Sequence, residues 1–209
     1  ADNVKITGQI RASYRSNDTG SDSGRLRTRL FLNGQINEDW TYTGRFENNQ
    51  YYTDGYNPDD DNIDLNWAYV SGRVGGVKLD AGRLNFKPHT GNVLDAEVDG
   101  AKLSYGDNVK VTGYVGKADG GDFTYFSDDR LYIADVSAKI GVVDAYATYY
   151  NVDNILKQEI WNLGVAVPVV KDLKLTAEYM NGDADNVDGD NSGYVAGLAY
   201  KGAKASTPG

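Results

Sequence analysis

Val4-Lys-Ile-Thr-Gly-Gln-Ile-Arg-Ala-Ser-Tyr-Arg15 is the stretch that decides the fold class. In an extended chain successive side chains point to opposite faces. Val4, Ile6, Gly8, Ile10, Ala12 and Tyr14 therefore share one face, and Lys5, Thr7, Gln9, Arg11, Ser13 and Arg15 share the other. The alternation returns with Leu26, Thr28, Leu30, Leu32, Gly34 and Ile36 opposed to Arg25, Arg27, Arg29, Phe31, Asn33 and Gln35. It returns again with Trp40, Tyr42, Gly44 and Phe46 opposed to Thr41, Thr43, Arg45 and Glu47.

Further alternating segments lie near 63–74, 77–86, 98–105, 109–117, 130–140, 142–151, 159–168, 173–181 and 193–202. The count is about twelve strands. Strands of soluble sandwiches average about five or six residues, whereas several of these reach about ten, the length a tilted strand needs to cross a bilayer. The fourth and fifth fit less well, because Val70, Val74, Leu84 and Phe86 break the alternation and leave the face of Arg73 and Arg83 open.

The connections alternate between tight and long. Asn37-Glu38-Asp39, Gly75-Gly76, Gly106-Asp107-Asn108, Gly141 and Lys171-Asp172 are tight turns, and 16–24, 48–62, 87–97, 118–129, 152–158 and 182–192 are long polar stretches. One end of the sheet then carries turns and the other carries loops, as in outer-membrane barrels. On the apolar face Trp40, Tyr42, Tyr105 and Tyr200 come near the turn end, and Tyr14, Tyr149, Trp161, Tyr179 and Tyr194 near the loop end. These are the two aromatic girdles of a membrane barrel.

Composition agrees. The 209 residues include 25 glycines, 16 tyrosines, 3 tryptophans and 1 methionine, a usage that suits strands better than helices. No run of about 18 apolar residues allows a transmembrane helix, and no apolar signal-peptide core opens the sequence. Cysteine is absent and His89 is the sole histidine, which excludes disulfides, thiol chemistry and sites needing two histidines. A net charge of -9 and a pI near 4.6 speak against nucleic acid as a partner. The expected fold is an all-β transmembrane antiparallel up-and-down barrel over residues 1–209, in a bacterial outer membrane whose lipid is its first partner.

The segments Val4 to Arg11, Leu79-Asp-Ala-Gly-Arg-Leu84 and Val98-Asp-Gly-Ala-Lys-Leu-Ser-Tyr105 resemble outer-membrane porins. More closely they resemble the OmpM-type tether porins of diderm Firmicutes. That resemblance implies a homotrimer of sixteen-stranded channels passing ions and small hydrophilic solutes, with an N-terminal S-layer homology domain that holds peptidoglycan. No such domain stands before Ala1, so peptidoglycan binding belongs only to a domain absent from this sequence. Ser206-Thr207-Pro208-Gly209 also lacks the final strand, ending in an aromatic residue, that the resemblance implies. At about 17 residues per strand a sixteen-stranded barrel needs roughly 280 residues. The sequence is accordingly read as a barrel incomplete at its C-terminus, with a complete twelve-stranded barrel as the alternative.

Eight of the nine arginines precede Leu84. Arg11, Arg15, Arg25, Arg27, Arg29 and Arg45 share the polar face of the first three strands. With strands about 4.8 Å apart they form one basic ladder on a pore wall. The third long connection is where porins fold a loop into the channel, and it carries Asp95 and Glu97, with Asp99 at the start of the next strand. The expectation is that these carboxylates face the ladder across a constriction. Asp59-Asp60-Asp61, Asp128-Asp129 and Asp183, Asp185, Asp188 and Asp190 make other loops acidic. Their spacing does not match an EF-hand, and solvated loop acids are expected in place of a metal site.

No enzyme site, metal or cofactor is expected. His89, with Thr90 and Asp95 near it in sequence, reads as a surface-loop histidine, because a catalytic triad is recognised by geometry. Gly72, Gly75 and Gly76 form a turn, with no helix following to hold a phosphate. The alternative function is a soluble or surface-exposed β-sheet binding carbohydrate or a protein partner through its tyrosines.

Overall fold

The computed structural model describes residues 3–16, 22–52, 62–118, 130–153, 157–183 and 191–200. Twelve strands follow one another: β1 (Val4–Arg15), β2 (Ser23–Gln35), β3 (Trp40–Tyr52), β4 (Asp64–Val74), β5 (Val77–Phe86), β6 (Ala96–Tyr105), β7 (Val109–Ala118), β8 (Arg130–Ile140), β9 (Val143–Asp153), β10 (Gln158–Val170), β11 (Leu173–Asp183) and β12 (Asn191–Tyr200). Each pairs antiparallel with its neighbours in sequence, giving one sheet in the order β1 to β12. Among the described residues β1 pairs only with β2 and β12 only with β11, so the sheet is not closed. No helix among them is long and apolar enough to cross a membrane.

The turns fall where glycine and left-handed backbone allow them. Val74 pairs with Val77 around Gly75 and Gly76, both at positive φ, and Ile140 pairs with Val143 around Gly141. Asp172, at φ 65°, closes the β10–β11 hairpin. Strands β3 and β6 are longer than the sequence pattern predicts: β3 runs to Tyr52 and β6 starts at Ala96. The acidic runs at 59–61, 128–129 and 185–190, and the stretch 201–209, lie outside the described residues.

One face is apolar and open. Ile6, Ile10, Val111, Val136, Leu163 and Leu198 are all exposed on it, as a wall solvated by lipid requires and a soluble sheet does not tolerate. Near its loop end Tyr149 lies against Trp161 with ring centroids 4.9 Å apart, and Tyr179 against Tyr194 at 5.0 Å. Tyr105 and Tyr200 stand exposed at the turn end. The two girdles read from the sequence are therefore two rows of outward rings.

The other face carries Arg11, Arg29, Glu47, Asp135, Thr148 and Asn162, and it is covered at one place. The β4–β5 pairing ends at Ala68 and Arg83, while the β5–β6 pairing continues up to Phe86 and Ala96. The free top of this hairpin and the loop beyond it lie over the inner face. Leu84, Phe86, Leu94, Ala96 and Val98 form one buried cluster with Tyr114, Leu131, Ile133 and Tyr150 of β7, β8 and β9. That contact explains why Leu84 and Phe86 break the alternation: they are inward residues with an apolar partner. Burying a Leu, Val or Phe contributes about 1.5–3 kcal/mol each, so the cluster is the main force holding the hairpin inward.

The departure of the hairpin needs close backbone approach at its base. Gly82, Gly100 and Gly116 are direct cross-strand neighbours on β5, β6 and β7. A Cβ on Gly100 would lie 2.1 Å from the Val115 carbonyl oxygen and 2.6 Å from the Gly116 Cα. Gly82 has φ 134°, a conformation closed to other residues. Gly100→Val is expected to cost about 2 kcal/mol or more through overpacking. The check is the urea midpoint of the full-length protein folded in detergent.

Candidate functional site: an arginine wall and an inward hairpin

The arginines occupy successive rows of the inner face. Arg11 stands opposite Arg27, which stands opposite Asn49; Gln9, Arg29 and Glu47 form the next row; Phe31, Arg45 and Trp67 form the row below that. Ser13 and Arg25 face each other, and so do Arg15 and Ser23. All six predicted ladder residues therefore share one face of β1 to β3.

Rows of like charge destabilise a sheet unless countered, and the counter-charges come from two sources. Glu47, a strand neighbour, accepts a hydrogen bond from Arg29 Nε and lies 4.0 Å from Arg27 Nε. Glu97, from β6, takes Arg45: Nη2 donates to Oε1 at 2.6 Å. Arg45 is 5% exposed, its guanidinium carbon stands 3.9 Å from the centroid of the Trp67 ring, and its Nε donates to Asn66 Oδ1 at 3.3 Å. A planar cation stacked on an indole and bonded at its edge is fixed in orientation.

Of the three predicted acids, only Asp95 is a loop residue, because β6 begins at Ala96. It accepts from Asn85 Nδ2 at 2.7 Å and from Lys87 Nζ at 2.5 Å. Those two hydrogen bonds, Asn85 first, hold its carboxyl below the usual carboxylate range. Asp99 does not approach the arginine rows. It sits in β6 on the side that carries Ala101 and Leu103, and Arg83 Nε and Nη2 donate to its two oxygens at 2.7 and 2.9 Å. Glu97 has the same parity in β6, so height on the hairpin divides the two acids: Asp99 stands next to the Gly82–Gly100 pair at the base and meets Arg83 across the strands, whereas Glu97 is two residues nearer the tip and reaches Arg45.

The tip of the loop touches strands far away in sequence. His89 lies flat on Tyr146 of β9, with centroids 3.6 Å apart and planes 9° from parallel, and its Nε2 lies 2.6 Å from Asp135 Oδ1 of β8. Asp135 also accepts from Thr148 Oγ1 at 2.7 Å. Glu178 of β11 accepts from Thr90 Oγ1 at 2.7 Å, from Asn92 Nδ2 and from the Tyr146 hydroxyl. His89 is an exposed loop residue, as the sequence reading has it, and these contacts add partners that the sequence does not show. Glu47, Trp67, Asp135 and Glu178 were also missed. Alternation marks Glu47, Asp135 and Glu178 as inward polar positions, but nothing local marks their partners.

Among the described residues no three histidine, aspartate or glutamate side chains converge as a metal site would require. The arrangement is instead a set of cations on the inner face of β1 to β3 with a carboxylate-bearing hairpin that reaches Arg45. Arg11 and Arg25 have no ion-pair partner among the described residues.

A twelve-stranded up-and-down sheet with an apolar outer band, two aromatic girdles and a loop folded over the inner face has the fold of an outer-membrane β-barrel wall. Solved structures carry the same fold. The crystal structure of Pseudomonas aeruginosa OccK5 (OpdH) matches with a TM-score of 0.61 at 14% identity, over 95% of this chain and 62% of that one. Pseudomonas aeruginosa OccK11 (OpdR) matches at 0.59 and 14%, over 94% and 58%. The Salmonella typhi OmpF complex with daunomycin matches at 0.51 and 11%, over 94% and 85%. The chain thus spans less than two thirds of the two Occ structures. No protein-family model matches it, and no curated protein matches it by sequence.

Proposed function

We propose that the protein is an outer-membrane porin, a water-filled channel for passive diffusion of ions and small hydrophilic solutes in the bacterial outer membrane. Its twelve strands are part of a longer barrel, and Arg11, Arg15, Arg25, Arg27, Arg29 and Arg45 line the pore. The observation that supports this most is the Arg45–Glu97 pair: it joins the arginine wall to a hairpin that leaves the sheet to cross the inner face. Fixed charges of opposite sign on opposing walls make a transverse field, which orients dipolar solutes and sets ion preference. Glu97 is the acid that works against the ladder, and Asp95 adds to the potential at the loop side.

The finer reading, a homotrimeric tether porin whose peptidoglycan contact is made by a separate S-layer homology domain, rests on the segments at 79–84 and 98–105. The outward row of Ile6, Ile10, Leu163 and Leu198 makes lipid the partner of the apolar face. The test is liposome swelling with the full-length protein in neutral sugars of increasing size. Swelling rates should fall steeply with solute size, and protein-containing vesicles that swell no faster than empty ones would exclude a diffusion channel.

A further inference from the structure

The tip of the inward hairpin is fixed by an imidazole and two buried carboxylates that the charge pattern of the passage does not require. Pro88 to Gly91 form a turn, closed by the Gly91 amide donating to the Pro88 carbonyl at 3.0 Å. His89 sits in it at φ 52°, a backbone conformation that histidine adopts more readily than most residues but still at a cost. The turn sets the ring flat on Tyr146 with Nε2 against Asp135. Asp135 is 4% exposed and Glu178 5%, so each carboxylate is itself largely desolvated where it meets its loop partners, and a charge-assisted hydrogen bond there is stronger than in bulk water.

We infer that His89 is a positioning residue that latches the hairpin tip to the β8–β9–β11 wall in a charge-dependent way. The latch is tightest at mildly acidic pH and loosens as the imidazole loses its proton. The inference rests on the channel reading only for its consequence, the width and steadiness of the passage; the latch itself is a statement about residues 87–95.

Histidine is the side chain whose ordinary charge change falls between pH 5 and 8. Protonated, the ring against Asp135 is an ion pair with a hydrogen bond; neutral, it keeps a hydrogen bond to the carboxylate only in its Nε2–H tautomer and loses the ionic attraction. The groups around the ring do not change charge in that window by their ordinary values. They are Asp135 and Lys139 of β8, Tyr146 and Asp144 of β9, Glu178 and Lys174 of β11, and Asp107 and Lys110 around the β6–β7 turn. Asp144 and Lys174 pair with each other at 3.4 Å. The apolar cluster of Leu84, Phe86, Leu94, Ala96 and Val98 keeps the hairpin inward when the latch opens, so release frees the tip and leaves the fold intact.

The experiment is amide hydrogen exchange on the full-length protein folded in detergent, between pH 5.5 and 8.5, comparing wild type with His89→Gln after correction for intrinsic rates. His89 lies in a loop, so its replacement leaves the strands in place, and retained heat-modifiable migration verifies this. Protection of residues 89–94 in wild type is expected to fall about fivefold across the window, as the ionic attraction between the imidazolium and Asp135 is lost, and to be flat and low in His89→Gln. Protection that is flat in wild type, or that falls equally in both proteins, overturns the latch. Bilayer recordings over the same window separate the two readings. Current noise rising with pH in wild type alone supports latch and channel together, whereas a silent protein that still shows the exchange effect keeps the latch and rejects the channel.

Discussion

Glu97→Lys is expected to move the ion selectivity of the proposed channel toward anions by about an order of magnitude. An ion passing about 10 Å from a fixed unit charge in water feels about 0.4 kcal/mol. Reversing the charge doubles that, so cation partitioning falls about fourfold and anion partitioning rises about fourfold. The shift is read as the change in zero-current potential under a salt gradient, and it should shrink in about 1 M salt, where the screening length is about 3 Å. Glu97→Gln, which keeps an acceptor for Arg45 Nη2, should give about half the shift with little loss of stability. Unchanged selectivity and conductance in the Glu97→Lys channel would mean that the hairpin does not border the conducting path.

Arg45→Ala is expected to have the largest effect on stability and on pore size together. The guanidinium is buried, stacked on Trp67 and bonded to Glu97 and Asn66. Its removal leaves Glu97 without its cation and uncovers the Trp67 ring; losing one partner of a largely buried ion pair costs about 3 kcal/mol. The folded fraction in urea should fall at a lower midpoint, single-channel conductance should rise because the bulkiest group between the walls is gone, and selectivity should shift toward cations. Arg45→Lys discriminates charge from shape: it keeps the charge but not the planar stack or the fork. It should retain selectivity and still lose stability. Equal stability of Arg45→Ala and wild type would show that the stack and the ion pair contribute nothing.

The sequence makes the wall legible because a wall is local. Period two in β1, β2 and β3 places Arg11, Arg27 and Arg29 on one face, and glycine and aspartate positions place the turns. Outward tyrosines then fall into two rows without reference to the rest of the chain. The hairpin is not local, and there the reading fails. Leu84 and Phe86 interrupt the alternation because their partners Leu131, Ile133 and Tyr150 belong to β8 and β9, remote from β5 in the sheet order.

The same non-local contact decides the site. Asp95, Glu97 and Asp99 look alike in sequence, yet Glu97 meets Arg45, Asp95 meets Lys87, and Asp99 meets Arg83 across the hairpin base. All three stand on the tip side of Gly100 and differ in height on the hairpin; the bend itself rests on Gly82, Gly100 and Gly116, three glycines in different strands that acquire meaning only when register makes them neighbours. His89 likewise gains its role from Asp135 and Tyr146, which are 46 and 57 positions further along the chain. A lone histidine in a polar loop carries no signal of that kind.

A channel controlled by the arginine wall and the inward hairpin is probed most directly by planar-bilayer recording of the purified full-length protein under a salt gradient. Wild type, Glu97→Lys and the Arg11→Gln, Arg25→Gln double variant are compared side by side. Stable stepwise openings are expected, with a zero-current potential that moves toward anions when Glu97 is reversed and toward cations when the two arginines are neutralised. Silence from protein verified as folded, or openings whose potential ignores both changes, would contradict such a channel.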